Sequence, residues 1–294
     1  MSAIVGRSGT PAARGPGAEG GDGARAALTE AVRPRRFGAW YVAEHRFRVM
    51  RSYLQTLLVT GFGNPLLYLL AMGLGLGSLV SANLGPHAVD GVSYLAFVAP
   101  ALLCTAAVTV ASEEFTYPIL LGFKWNPTFY GINASPIAPG QIIDGVVISV
   151  VARLLGTTAV YFAFMALFGA VPGAWGFVGI LIGTIGGLAF GAPIMAYVAT
   201  IEQDSGQIAM LMRFVLLPLT LFSGTFFPLA NMPWFLQWIG WVSPLWHSTQ
   251  LSRVFSYGMS EPLWLSVVHI VYLLALFVVF WLWARRIAAR RLNK

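Results

Sequence analysis

An all-α integral membrane protein is the fold class that three observations on this 294-residue sequence predict. Apolar residues make up 57% and charged residues only 10%, whereas a soluble domain carries about 25% charged residues. Charge-poor windows recur along the chain, each long enough for the ~20-residue helix that crosses the hydrocarbon core. Basic residues gather at both ends, nine arginines before the first window and five Lys or Arg after the last. The same composition excludes a disordered chain, which is poor in apolar residues. The single cysteine, Cys104, excludes an internal disulfide and cannot alone build a structural zinc site.

Residues 1–35 are rich in Gly, Ala, Arg and Pro without an apolar core. They predict a disordered cytoplasmic tail rather than a signal peptide. Residues 36–51 predict an amphipathic helix: Trp40, Ala43, Phe47, Met50 and Leu54 recur at spacings of three and four, opposite Glu44, His45, Arg48 and Arg51. Such a helix lies in the membrane interface with its cations against head groups. Six spans are expected near residues 54–79, 92–112, 145–171, 175–201, 207–228 and 263–284 within a transmembrane domain over 52–284. Residues 113–139 form a loop after the second span. Residues 229–260 are apolar but broken by Pro233 and Pro244, too interrupted to span and too apolar for a free loop. They read as an extracellular re-entrant hairpin between spans five and six. Residues 285–294 are a basic tail. The Lys/Arg excess at both ends, with none at 81–90 or 170–174, places both termini on the cytoplasmic side of the plasma (inner) membrane. Six spans satisfy that requirement.

The chemistry is sparse. No G-x-x-x-x-G-K-[ST] occurs and the lysines are Lys124 and Lys294 alone, so this chain has no P-loop for ATP. G-x-S-x-G and H-E-x-x-H are also missing, and the histidines lack metal-ligand spacing, so no catalytic, cofactor or metal residues are assigned. The basic ends suit anionic lipid head groups. They lack the aromatic–basic module of a nucleic-acid binder, so no nucleic acid is expected. No acid falls near the centres of spans two to six, which argues against an ion-coupled secondary transporter, the second reading. A membrane-embedded lipid-modifying enzyme, a third reading, would need Glu113 and Glu114 with Asp144, yet adjacent acids on a helix point about 100° apart.

Arg153 and Arg213 each lie nine residues past an acid, Asp144 and Asp204, and fall near the cytoplasmic third of their spans. They snorkel or pair with Glu113, Glu114 or Asp144, or else they contact an anionic head group. Gly179, Gly183, Gly187 and Gly191 form one stripe that admits a second helix closely, within one subunit or between two. Trp234, Phe235, Trp238, Trp241 and Trp246 crowd into the hairpin, as an aromatic belt or an outer gate.

On these residues the chain resembles the membrane subunits of type-2 ABC transporters (ABC-2 permeases), in the branch of nodulation protein J-type and daunorubicin-resistance-type exporters. The resemblance is carried by Phe222-Ser223-Gly224-Thr225-Phe226-Phe227-Pro228-Leu229, by Met232-Pro233-Trp234-Phe235-Leu236-Gln237, by Pro244-Leu245-Trp246-His247 and Arg253, and by Ala134-Ser135-Pro136-Ile137. It implies a separate cytoplasmic ABC ATPase that binds ATP and Mg and docks on residues 113–139, with Glu113, Glu114, Ser135, Pro136 and Ile137 in the coupling role. It also implies a second permease copy or a paralogue. A re-entrant gate would involve Phe222, Ser223, Gly224, Phe227, Pro228, Pro233, Trp234, Pro244, His247 and Arg253. The cargo would be amphipathic or lipid-linked: a drug, a glycolipid or a lipo-oligosaccharide. One departure is that Glu113-Glu114-Phe115-Thr116-Tyr117-Pro118 keeps the acids of the family's E-x-x-R-x-x-G-T-like run but not its arginine.

Overall fold

The computed structural model describes residues 28–85 and 89–294 and is almost wholly helical among them. Residues 1–27 of the expected tail lie outside the described residues. Five helices are long and apolar enough to cross a membrane: Gly63–Asn83, Tyr94–Trp125, Pro139–Leu167, Gly176–Thr200 and Leu263–Leu292. Their outward faces are apolar, with Leu79, Val271 and Val279 exposed by 59–61%, the pattern of helices whose outer solvent is lipid.

The first helix, α1 (Val32–Ser52), buries only part of the face the periodicity marks. Trp40 from that face is 55% exposed, whereas Ala43 from it and Val42 beside it are buried. They pack on α7 (Pro139–Leu167), where Gly145 lets the backbones meet: a Cβ there would lie 2.5 Å from Ala39 O. Helix α2 (Leu54–Leu69) runs through a π-helical stretch, Leu70–Leu76, into α3 (Gly77–Leu84).

Helix α4 (Tyr94–Phe115) forms the centre, and most of its side chains are buried. Ser93 caps it by accepting a hydrogen bond from Ala96 N, a common N-cap device. Its helical path breaks at Thr116 (φ −99°, ψ −99°) and resumes as α5 (Tyr117–Leu120), a π-helical stretch Leu121–Trp125 and α6 (Thr128–Asn133). Pro139 opens α7 at a first-turn position where its missing N–H costs nothing.

The glycine stripe lies on α8 (Gly179–Thr200). A Cβ on Gly183, Gly187 or Gly191 would come within 2.5–2.9 Å of Leu103, Ala107 O or Phe115, all on α4. Gly179 faces Ser252 instead. The close approach therefore joins helices of one chain. Gly187→Val is expected to lower stability by about 1–3 kcal/mol, because the backbone carbonyl it meets cannot repack like a side chain. Gly131→Ala, where a Cβ meets nothing within 4 Å, should leave the melting temperature of the solubilised protein unchanged.

The expected span over 207–228 is shorter than a crossing. Helix α9 (Gln207–Leu211), a π-helical stretch Met212–Leu216 and α10 (Leu217–Leu221) form one apolar rod. At ~1.5 Å per residue it reaches roughly 22 Å, against a core of about 30 Å. Beyond it, Phe222–Pro228 is non-helical. Helices α11 (Trp234–Val242) and α12 (Pro244–Tyr257) follow, and α12 packs against α4 and α8. The last helix, α13 (Leu263–Leu292), continues through the expected basic tail. Lys and Arg end an apolar window, not a helix, and here Ile287, Ala288 and Leu292 are buried.

Candidate functional site: two polar assemblies at opposite ends of α4

Polar contacts concentrate at the two ends of α4, about 30 Å apart at the rise of an α-helix. At the Tyr94 end, the buried guanidinium of Arg253 on α12 grips the chain after α10. Arg253 Nη2 donates to Gly224 O at 3.0 Å and to Thr225 O at 3.3 Å, and Nε donates to Phe97 O at 3.3 Å. Its carbon lies 3.7 Å above the Phe97 ring, a cation–π contact. Tyr94 donates to Phe226 O, and Ser223 and Thr225 share a hydrogen bond at 2.9 Å. Gly224 has φ +71°, the left-handed turn glycine adopts freely. The loop carbonyls after Leu221 are thus given to an arginine rather than to a helical ladder.

The structure thus brings Ser223, Gly224 and Arg253 together. Phe227 is 42% exposed and Trp234 83% exposed. Phe222 and Pro228 are half-buried, Pro233 is exposed and Pro244 is buried at the start of α12. His247 joins a buried chain that sequence reasoning missed. His247 Nδ1 lies 2.6 Å from His269 Nδ1, His269 Nε2 lies 3.0 Å from Glu261 Oε1, and Ser266 donates to the other Glu261 oxygen. His247 Nε2 reaches Trp241 O at 2.9 Å, and that carbonyl can only accept, so Nε2 carries the proton. The 2.6 Å Nδ1–Nδ1 contact links the two rings, and His269 joins them to Glu261. The available signal was His269 itself, an ionisable group inside an apolar span that requires a partner.

At the other end, Glu114 is buried and accepts from two arginines, Arg46 of α1 at 2.5 Å and Arg153 of α7. Arg46 Nε also donates to Ser149 Oγ at 2.8 Å. Arg153 extends a second arm to Glu113 at 3.5 Å. Arg153 is therefore held by carboxylates, while Arg213 is exposed on the π-helical stretch. Glu114 ties α1, α4 and α7 together and offers no carboxylate to an outside partner. Arg46 was missed because it follows Val42 by four residues on the buried side of α1, a face concealed by the competing Trp40 periodicity.

Beyond Glu114 the segment 117–137 is braced by the end of α13. Asn133 Nδ2 donates to Leu292 O at 3.0 Å, and the Arg291 guanidinium lies 4.3 Å above Phe123. Arg291 also donates to Ala199 O and Ile201 O, satisfying carbonyls at the end of α8 as a cation at a helix C-terminus does. Ser135 and Pro136 are exposed, Ile137 is half-buried, and Tyr117 stacks on Trp125 at the surface. Among the described residues no group of three or more His, Cys, Asp or Glu is placed to hold a metal ion.

Fold and contacts together define a multi-pass, nearly all-helical membrane protein with α12 packed into one end and a braced surface segment at the other. Residues 40–257 match the ABC-2 type transporter family. The chain belongs to that family and is one of its transport permeases. It is similar to Nodulation protein J of Rhizobium leguminosarum bv. viciae, 29% identical over 83% of this chain and 93% of that protein. It is likewise similar to Nodulation protein J of Rhizobium meliloti (strain 1021), 28% identical over 71% of this chain and 79% of the other. The Inner membrane transport permease YadH of Escherichia coli (strain K12) is 26% identical over 82% and 91% of the two chains.

Proposed function

We propose that this permease is the membrane subunit of an ATP-driven exporter in the inner (plasma) membrane, with both termini cytoplasmic. It crosses six times: Gln207–Leu221 completes its crossing with the clamped loop after it, and α11 and α12 form a re-entrant gate on the outer side. A cytoplasmic ABC ATPase, carrying ATP and Mg, docks on residues 117–137. Two such permeases, or this chain and a paralogue, flank the path of an amphipathic or lipid-linked cargo, whether a drug, a glycolipid or a lipo-oligosaccharide.

The observation that carries this reading is the segment 117–137, with Tyr117, Trp125, Ser135 and Pro136 exposed, continuous with the central helix α4 and braced on α13. Pressure on it would reach two helices that contact the gate. Permeases of this family work with an ATP-binding subunit, which suits a chain without a P-loop. The test is co-purification with a candidate ATPase and cargo-stimulated hydrolysis in lipid. Replacing both Ser135 and Pro136 with alanine should lower transport by about tenfold, the scale of a coupling free energy of 1–3 kcal/mol. Membrane insertion and basal hydrolysis should persist, and coupling that survives the double substitution would move the docking surface elsewhere.

An ion-coupled carrier is the second reading, and the buried His247–His269–Glu261 chain is what favours it. Transport under a proton gradient by the purified chain, with no ATPase present, would select it.

A further inference from the structure

The loose arm of the charge cluster ends in a cavity of about 410 Å³ between α2, α4 and α7, within the size range of small-ligand sites. Glu113 and Arg153 mark one end, while the remainder is mostly apolar, with Leu102, Val160 and Tyr161 in its wall beside the polar Asn64, Tyr68 and Thr157. Thr105 and Thr109 also line it, but their hydroxyls donate to carbonyls of their own helix. Gly61 and Gly156 keep the space open, since a Cβ on either meets nothing within 4 Å. An apolar slot with charge at one end matches an acyl chain with its head group.

The charges choose the head group. Arg46 and Arg153 balance Glu113 and Glu114, so the set is neutral. Glu114 is saturated by two arginines, but the Arg153–Glu113 contact is long at 3.5 Å and the Glu113 side chain is 57% exposed. An anion at Arg153 would lie beside the Glu113 carboxylate, and a cation at Glu113 beside the guanidinium. A zwitterion satisfies both groups. We propose that this slot holds one bilayer phospholipid of the phosphatidylethanolamine type, its phosphate on Arg153, its ammonium on Glu113 and an acyl chain along Leu102 and Tyr161. The ammonium donates hydrogen bonds to the carboxylate, and a choline head group has no N–H to do so. This inference rests on the chain's place in a bilayer and not on transport, so it stands or falls separately from the exporter reading.

The test uses the full-length permease in nanodiscs containing equal phosphatidylethanolamine, phosphatidylcholine and phosphatidylglycerol of matched chains, with retained lipid identified by native mass spectrometry. One phosphatidylethanolamine per chain is expected. Gly156→Phe fills the slot and leaves the charges in place; it should abolish retention without lowering the melting temperature. Glu113→Gln leaves a net positive cluster. It should reduce retained phosphatidylethanolamine by about tenfold, as loss of a hydrogen bond to a charged group does, and raise phosphatidylglycerol. Preference of the unaltered protein for phosphatidylglycerol, equal retention by a folded Gly156→Phe, or an unchanged lipid profile in Glu113→Gln would each overturn the proposal.

Discussion

Arg253→Met is expected to cost the folded permease about 3–5 kcal/mol, because the carbonyls of Phe97, Gly224 and Thr225 lose their donor together and each buried unsatisfied acceptor costs roughly 1–3 kcal/mol. The residue is 2% exposed, so water cannot replace the guanidinium without opening the contact between α12 and α4. Arg253→Lys should fall between methionine and the native residue. An ammonium is a point charge that cannot fork between the two sides of the loop or stack on Phe97. Arg213→Met, on an exposed site, should stay within about 0.5 kcal/mol. Melting temperatures in one detergent give the ranking. Proteolysis of the 222–233 loop shows whether the methionine variant fails there first. A native-like melting curve for Arg253→Met would mean that this clamp carries no stability.

The sequence makes the helices legible where composition alone decides them. The span expected over 175–201 is the helix Gly176–Thr200, because Pro172-Gly173 before it and Glu202 after it punctuate an apolar run. The glycine stripe was legible as a close contact, but its partner was not, since spacing on α8 says nothing about which helix approaches. The helix in the span over 207–228 ends at Leu221, and the loop beyond it is held in a way invisible in local pattern: the carbonyls of Gly224 and Thr225 are claimed by an arginine some thirty residues later. The same limit applies to Arg46 and Glu114, whose pairing joins positions 68 residues apart. In the sequence, the motif Phe222–Leu229 and Arg253 stand as separate marks of a family. The structure gives them one physical cause, because the loop's backbone acceptors and the arginine's donors are the two halves of a single contact.

The second large effect is expected at the opposite end of α4. Among the described residues, Glu114→Ala removes the only carboxylate on Arg46 and the nearer of two held by Arg153, whose side chains are each 17% exposed. Removing one partner of a buried ion pair costs about 3–5 kcal/mol, chiefly by stranding the opposite charge. Glu113→Gln should cost less than about 1 kcal/mol, since that carboxylate is more than half exposed and its contact is long. The mechanism predicts a rescue: Arg46→Met in the Glu114→Ala background removes one stranded cation and should recover part of the loss. A double-mutant cycle would then show coupling of 0.5–3 kcal/mol, the range for residues in one network. Additive losses would show that Arg46 and Glu114 do not share their energy. Because α1 meets the bundle mainly through α7 and this pair, the single variant should release α1 before the bundle melts. Protease cleavage at Arg48 or Arg51 below the main transition would report that release.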